Sequence, residues 1–510
     1  MNRANRQIHG AFDNDLAVKT KTGVFVGYKN KGGIFFTGIP YAKPPVGELR
    51  WKAPQPLPES NEVFEAKNFG ASAIQVDYEG SFLKHHRQSE DCLTLNICVG
   101  SKRTAQKKSV IVFFHHGDFT YGGSADPLLH GDDFIKVYPD SVGVSFNYRL
   151  GVFGFIDFSE VPGGENYPDT LHLGLLDQIA ALRWLKEIIS AFGGDPKKIT
   201  VMGFESGALS LSLLAASAQA KGLFQKAFIF YGDPMSAYAT PEMSRNLAKK
   251  LLQATATTTV EELMRLSTEQ LKDAQQKLVL DLSAPTRDGK LIPFDVPAAY
   301  RDGAAAGIEF IIGIPSNERQ IYKSLVGEKK YEDFIIKELD SMLSFFDDEH
   351  PAESKALRDY IEAQSATMPA LEANAKAYEQ IYTLSTYRCA VKLAEGGNKV
   401  RLLYWNVKPL IENLGSGTVD VAAAFLGSRE AVQLYGNVLN RDIAERLQKL
   451  FRKFASVDDV RLFNNEIKGF DGVDWQEFPK ALIVSEKAFT CEPIVDRLTE
   501  VDGLTKLLAE

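Results

Sequence analysis

Ile199-Thr200-Val201-Met202-Gly203-Phe204-Glu205-Ser206-Gly207-Ala208-Leu209 is the stretch that decides the fold. Its apolar, β-branched opening predicts a buried strand over Ile199 to Gly203, and the Ala- and Leu-rich run from Gly207 to Ala218 predicts a helix. Between them, Gly203 and Gly207 stand two residues either side of Glu205. That spacing marks a sharp strand-to-helix elbow, which holds its apex side chain up on strained backbone while the glycines allow close backbone packing. Such an elbow ordinarily presents a serine. Taking Ser206 as the apex would put Phe204 and Ala208 at the flanking positions, where a phenylalanine is hard to fit. The motif therefore reads GxExG, with Glu205 at the tip.

Working outward, Ser109 to Phe114 and Val142 to Phe146 read as buried strands upstream of the elbow, with Leu175 to Phe192 an amphipathic helix. Downstream, Lys226 to Tyr231, Glu309 to Ile312 and Arg401 to Trp405 read as further strands. Strands alternating with helices predict an α/β fold, a large mostly parallel central sheet flanked by helices. Between about 235 and 400 the chain becomes helix-rich and charged, as in Val260 to Lys277 and Lys329 to Gln364. Strands resume afterwards, so these segments read as helical insertions over the strand ends of a single domain covering residues 1–510. The acidic run Asp347-Asp348-Glu349 reads as a solvated helix end or loop.

Composition narrows the function classes. With 45% hydrophobic and 24% charged residues the chain is globular, and collagen-like, coiled-coil and disordered readings fall away. A net charge of −8 and the lack of a basic block disfavour nucleic acid or an anionic membrane as partner. No segment approaches the roughly 18 uninterrupted apolar residues of a membrane span, and the polar stretch Met1 to Leu16 does not resemble a secretory signal. The four cysteines, Cys92, Cys98, Cys389 and Cys491, are too few for a disulfide scaffold and show no zinc-type pairing, so a cytoplasmic setting is expected. The oligomeric state is left open. Neither a cofactor nor a metal is called for.

Several blocks then occur in a recognisable order: Gly38-Ile39-Pro40-Tyr41-Ala42 with Pro44-Pro45-Val46-Gly47 and Leu49-Arg50-Trp51; Ser89-Glu90-Asp91-Cys92-Leu93 with Leu95-Asn96; Asn147-Tyr148-Arg149-Leu150-Gly151; Gly174-Leu175 with Asp177-Gln178; and Phe192-Gly193-Gly194-Asp195-Pro196. On these the chain resembles the type-B carboxylesterase and cholinesterase family. The resemblance implies the α/β-hydrolase fold and a gorge-like pocket for a small organic molecule. It also implies a serine nucleophile, a histidine base, an acid that orients the histidine, and backbone N–H groups that hold the oxyanion.

The chemistry departs from that pattern part by part. The nucleophile position is Glu205. Gly313-Ile314-Pro315-Ser316-Asn317-Glu318 resembles the acid-bearing loop and places Glu318 at its carboxylate, although a surface loop residue is an equal reading. Where the histidine belongs, Gly415-Ser416-Gly417-Thr418-Val419-Asp420 places Gly417, and none of the eight histidines follows residue 350. A serine hydroxyl without an imidazole in reach stays a weak nucleophile. The oxyanion run is matched by His115-His116-Gly117-Asp118-Phe119, where an inward Asp118 carboxylate would repel the negative charge to be stabilised. The usual early disulfide has only one half, Cys92.

Two expectations follow from these residues. In one, a degenerate triad leaves a pseudoenzyme that binds a small ligand without turnover, with His115, Gly117, Ser206 and Gly417 lining the pocket. In the other, Glu205 and Asp118 share one site, repulsion and burial separate their pKa values, and the pair drives isomerisation, elimination or cyclisation, with His116 as a further proton carrier and Glu318 nearby. Unpaired charges in a buried pocket fit drift poorly. The alternative is residual ester hydrolysis by Ser206 or by a water that Glu205 activates. Ser206 is also suited to capping or lining the helix start.

Overall fold

The computed structural model describes residues 6–30, 32–77, 81, 83–100, 106–127, 131–232, 240–279, 285–316, 351–407, 441–456, 475–485 and 488–498, with residues 421 and 425 and scattered positions between 329 and 347. Two sheets are formed among them. The smaller joins β1 (Ala17–Thr20), β2 (Gly23–Val26) and β5 (Val63–Glu65). The larger has eleven strands: β3 (Tyr28–Asn30), β4 (Gly33–Pro40), β6 (Thr94–Gly100), β7 (Lys108–Phe114), β8 (Ser141–Phe146), β9 (Gly194–Phe204), β10 (Lys226–Phe230), β11 (Glu309–Pro315), β12 (Lys399–Trp405), β13 (Lys480–Val484) and β14 (Phe489–Pro493). They lie in the order β14-β13-β12-β11-β10-β9-β7-β8-β6-β4-β3.

The six pairings from β8 across to β13 are parallel, as expected, and both edges are antiparallel. Central strands are covered on both faces and therefore read as unbroken apolar runs. Every residue of β7 and β8 is buried. The strand period of two then divides each run between the faces. Val110, Val112 and Phe114 of β7 enter the core cluster shared with the helices Leu173–Ile188 and Ser206–Ala216. Ile111 and Phe113 enter the opposite one, with Leu447, Phe451 and Phe454 of the helix Arg441–Ser456.

Topology fixes where a site can form. From β7 the chain moves to β8 on one side, then returns to place β9 on the other. Reversals of this kind open a crevice at the carboxyl ends of the strands, the usual ligand position in open α/β sheets. Phe114 pairs with Gly203 at that end. The loop leaving β7 and the elbow leaving β9 are thereby set side by side.

Within the segment from about 235 to 400, read as insertions over the strand ends, one helix connects strands of the sheet itself. The helix Ala370–Glu395 packs on β11 and β12 and links them as a parallel crossover, its Leu384 and Leu393 sharing the main core with Ile312 and Leu402. The helix-rich stretch Val260 to Lys277 holds two helices, Val260–Met264 and Thr268–Lys277. Ser267 makes the break: its hydroxyl accepts the Gln270 N–H, and the Gln270 side chain accepts the Ser267 N–H, a full capping box. Of the acidic run, Asp347 accepts from the Ser354 hydroxyl and the Arg358 guanidinium. Asp348 and Glu349 lie outside the described residues.

Candidate active site

At the end of β9 the backbone turns sharply, with Glu205 at φ 49° and ψ −122° ahead of the helix Ser206–Ala216. Holding a non-glycine residue in such a sparsely populated region costs about 1–3 kcal/mol, and the surroundings must enforce it. The enforcement is visible. The Glu205 N–H donates to Phe230 O at 3.1 Å, and Glu205 O accepts the Leu209 N–H at 2.8 Å. The two glycines bring strand and helix together: a methyl group on Gly203 would come within 2.5 Å of the Gly207 carbonyl carbon. One on Gly207 would meet Phe114 O at 2.4 Å. Gly207→Ala is accordingly expected to lower stability by about 1–3 kcal/mol, since backbone must move on both sides. A denaturant titration in which Gly207→Ala matched the wild type would contradict this packing.

The facing loop is equally constrained. Gly117, Asp118 and Phe119 have φ values of 114°, 49° and 58°, a left-handed run pinned by Thr120 N–H and Tyr121 N–H, which both donate to Gly117 O. The Phe119 carbonyl accepts Gly151 N–H at 2.8 Å. At its far end the Gln75 amide pairs with the Gly122 backbone in both directions, at 2.9 and 3.0 Å. The Asp118 N–H donates to the Ser206 hydroxyl at 3.0 Å, tying the loop to the elbow helix.

These constraints bring Glu205, Asp118, His116, Gly117 and Ser206 into one cluster. Burial pushes the Glu205 carboxyl up to about 8, helped by the negative charge of Asp118. Burial also raises Asp118, against the opposing pull of His116. Both groups are surrounded by protein, yet Glu205 stays partly accessible and Asp118 exposed. Water reaching Asp118 screens its charge more than that of Glu205. With its carboxyl near 8, Glu205 keeps its proton at neutral pH.

The two histidines differ in role. His116 is partly accessible, and its Nδ1 is buried without a hydrogen-bond partner among the described residues. His115 was expected to line the pocket. It is instead 2% exposed, stacked on Tyr148 with ring centroids 4.2 Å apart, and bonded through Nδ1 to His116 O at 2.9 Å. Burial pushes it down to about 3, so it stays neutral and supports the loop from behind. Ser206 is the first helical residue, buried, and caps no helical N–H; it lines the turn. Glu318 and Gly417 lie outside the described residues.

Sequence reasoning missed Gln75 and Tyr148 as supports. Tyr148 stood inside a quoted block, Asn147-Tyr148-Arg149, but Gln75 carries no signal that spacing or composition reveals. A separate cavity of about 430 Å³ lies between Gly47, Arg50, Gln88, Glu90 and Glu269. There Arg50 and Glu90 neutralise each other at 2.6 Å. Among the described residues no helix is long and apolar enough to cross a membrane.

Comparison with known proteins adds the lineage. A profile described as Carboxylesterase family matches residues 14–405. The chain is 36% identical over 318 residues to the para-nitrobenzyl esterase of Bacillus subtilis, covering 60% of this chain and 63% of that one. It is 32% identical over 339 residues to the cholinesterase of Mus musculus, covering 63% and 54%. These matches span less than two thirds of either relative. Among solved structures, the carboxylesterase EST55 of Geobacillus stearothermophilus superposes with a TM-score of 0.78 at 28% identity, over 95% of this chain and 99% of that one. A thermophilic pNB esterase gives 0.79 at 26%, over 96% and 99%. With an elbow at the end of β9, a helix-flanked sheet around it and a profile match over most of its length, the chain belongs to the carboxylesterase family.

Proposed function

We propose that this carboxylesterase-family protein binds a small organic molecule at the elbow and moves protons on it with carboxyl groups, not by acyl transfer to serine. The observation carrying this reading is the pairing of Glu205, pushed up to about 8, with Asp118 on the facing loop. A carboxylic acid beside a carboxylate is an acid–base couple that works at neutral pH. Glu205 donates its proton to a substrate oxygen or nitrogen while ionised Asp118 removes one from carbon. In an isomerisation the two transfers cancel, and proton exchange through His116 or water resets the pair. Elimination and cyclisation use the same two transfers.

Ester hydrolysis through Ser206 is the less supported reading. Its hydroxyl is buried, sits one residue past the apex and accepts the Asp118 N–H. The lack of any histidine beyond residue 350 supports the loss of the usual base.

Two measurements on the wild type test the proposal. The infrared carbonyl band of a protonated carboxylic acid, isolated by subtracting Glu205→Gln, is expected to titrate near 8. A midpoint in the ordinary carboxylate range sinks the acid–base couple. Short-chain nitrophenyl esters are expected to show no turnover, and turnover abolished by Ser206→Ala but kept in Glu205→Gln would establish the serine reading instead. Ligand binding without conversion, alike in wild type and Glu205→Gln, would point to a non-catalytic binding protein.

A further inference from the structure

We infer that Ser206 is a positioning residue: its hydroxyl pins the Asp118 backbone to the elbow helix and so fixes the Asp118 carboxyl opposite Glu205. This rests on the carboxyl-pair reading and deepens it. Three observations carry it. First, the hydroxyl accepts the Asp118 N–H at 3.0 Å, a direct hydrogen bond between the 117–119 turn and the elbow helix. Second, that N–H sits in the middle of three consecutive left-handed residues, a backbone that persists only where its surroundings over-determine it. Third, Ser206 is 6% exposed, so water does not readily replace a lost hydroxyl.

The consequence for chemistry is twofold. A backbone N–H at this turn would otherwise be free as a donor for a developing oxyanion, which needs an oxygen about 2.7–3.1 Å away. The Ser206 oxygen already fills that distance. Such a site selects substrates that exchange protons with carboxyls over those that form a tetrahedral oxyanion on this amide. The same bond holds the backbone that carries Asp118 against the elbow helix that follows Glu205, so the two acids stay close despite their mutual repulsion.

The groups that bear on the titration are few. Glu205 responds to Asp118, Asp118 to His116, and Tyr148, just past the end of β8, is itself raised by burial and by Asp118. Removing the pin frees the Asp118 backbone to move away from the elbow, which relieves the repulsion on Glu205.

The test measures the Glu205 carboxylic-acid band by infrared titration in wild type and Ser206→Ala. It adds amide hydrogen exchange on peptides covering residues 115–121. Deleting one oxygen is expected to lower the Glu205 midpoint by roughly one unit or more and to raise exchange in that loop by at least about tenfold. Ser206→Thr, which keeps the hydroxyl, is expected to restore both, and it guards against a general packing effect. An unchanged midpoint in Ser206→Ala with the wild type still near 8 overturns this inference and leaves the acid–base proposal standing. A wild-type midpoint in the ordinary range sinks both.

Discussion

Glu205→Gln is expected to cut conversion by about a hundredfold to ten-thousandfold while leaving ligand affinity within a few fold, and to stabilise the protein at alkaline pH. The rate loss follows from removing a general acid while keeping its shape. The stability gain follows from proton linkage. Folded, Glu205 keeps its proton up to about 8, whereas a glutamate carboxyl in the unfolded chain loses it near 4.5. Across that window the folded state binds more protons, so stability falls as pH rises and the loss is complete above about 8. Glutamine has no proton to lose. The variant should therefore match the wild type near pH 4 and exceed it by ~1–3 kcal/mol near pH 9. Denaturant titrations at the two pH values read this directly. Equal stability at both would mean that the carboxyl is no more costly to ionise folded than unfolded.

The two halves of that experiment fail independently. A pH-dependent stability gain without any loss of conversion would leave the buried acid real but idle, as in a binding protein. Loss of conversion without the stability signature would leave Glu205 as a contact whose acidity is ordinary. Only both together support an acid–base couple.

How much of this could be read from the sequence depended on how each element buries itself. The central strands announced themselves because strands covered on both faces have no polar positions to break the run; Lys226–Phe230 was placed within one residue. β4 and β6 did not stand out. In β4, Thr37 and Gly38 interrupt the apolar run, and Asn96 interrupts β6; Asn96 is buried and accepts the Gly38 N–H. Such polar satisfaction is a tertiary fact that periodicity cannot show. The elbow was legible because close backbone approach demands glycine at fixed spacing. The position of His115 was not, because a histidine in a loop reads the same whether it faces the cavity or stacks on Tyr148 behind it. The roles expected of Glu318 and Gly417 lie outside the described residues.

Asp177→Ala is expected to produce a stability loss of about 3–5 kcal/mol, the penalty of leaving a buried guanidinium without its counter-charge. Asp177 and Gln178 appeared in the sequence only as part of a resemblance; the structure supplies the cause. Asp177 lies on the helix Leu173–Ile188 and is fully buried. Its carboxylate accepts from Arg149 Nε at 2.8 Å, Nη2 at 2.7 Å and the backbone N–H at 3.1 Å. Burial pushes the Asp177 carboxyl up and would lower the guanidinium, yet Arg149 is raised overall by its partner. Three short charge-assisted bonds decide in favour of an ionised pair. The effect reaches the site, because Arg149 precedes Gly151, whose N–H donates to Phe119 O beside Asp118. Asp177→Asn, which keeps hydrogen-bond capacity but not the charge, should lose less, and Arg149→Met/Asp177→Leu should lose less than Asp177→Ala alone because no charge is stranded. If the double variant proved as unstable as the single one, the penalty would belong to packing at this junction and not to the unpaired cation. If both variants kept full stability, the helix Leu173–Ile188 would have to hold the Arg149 to Gly151 turn, and through it the Asp118 loop, by apolar contacts alone.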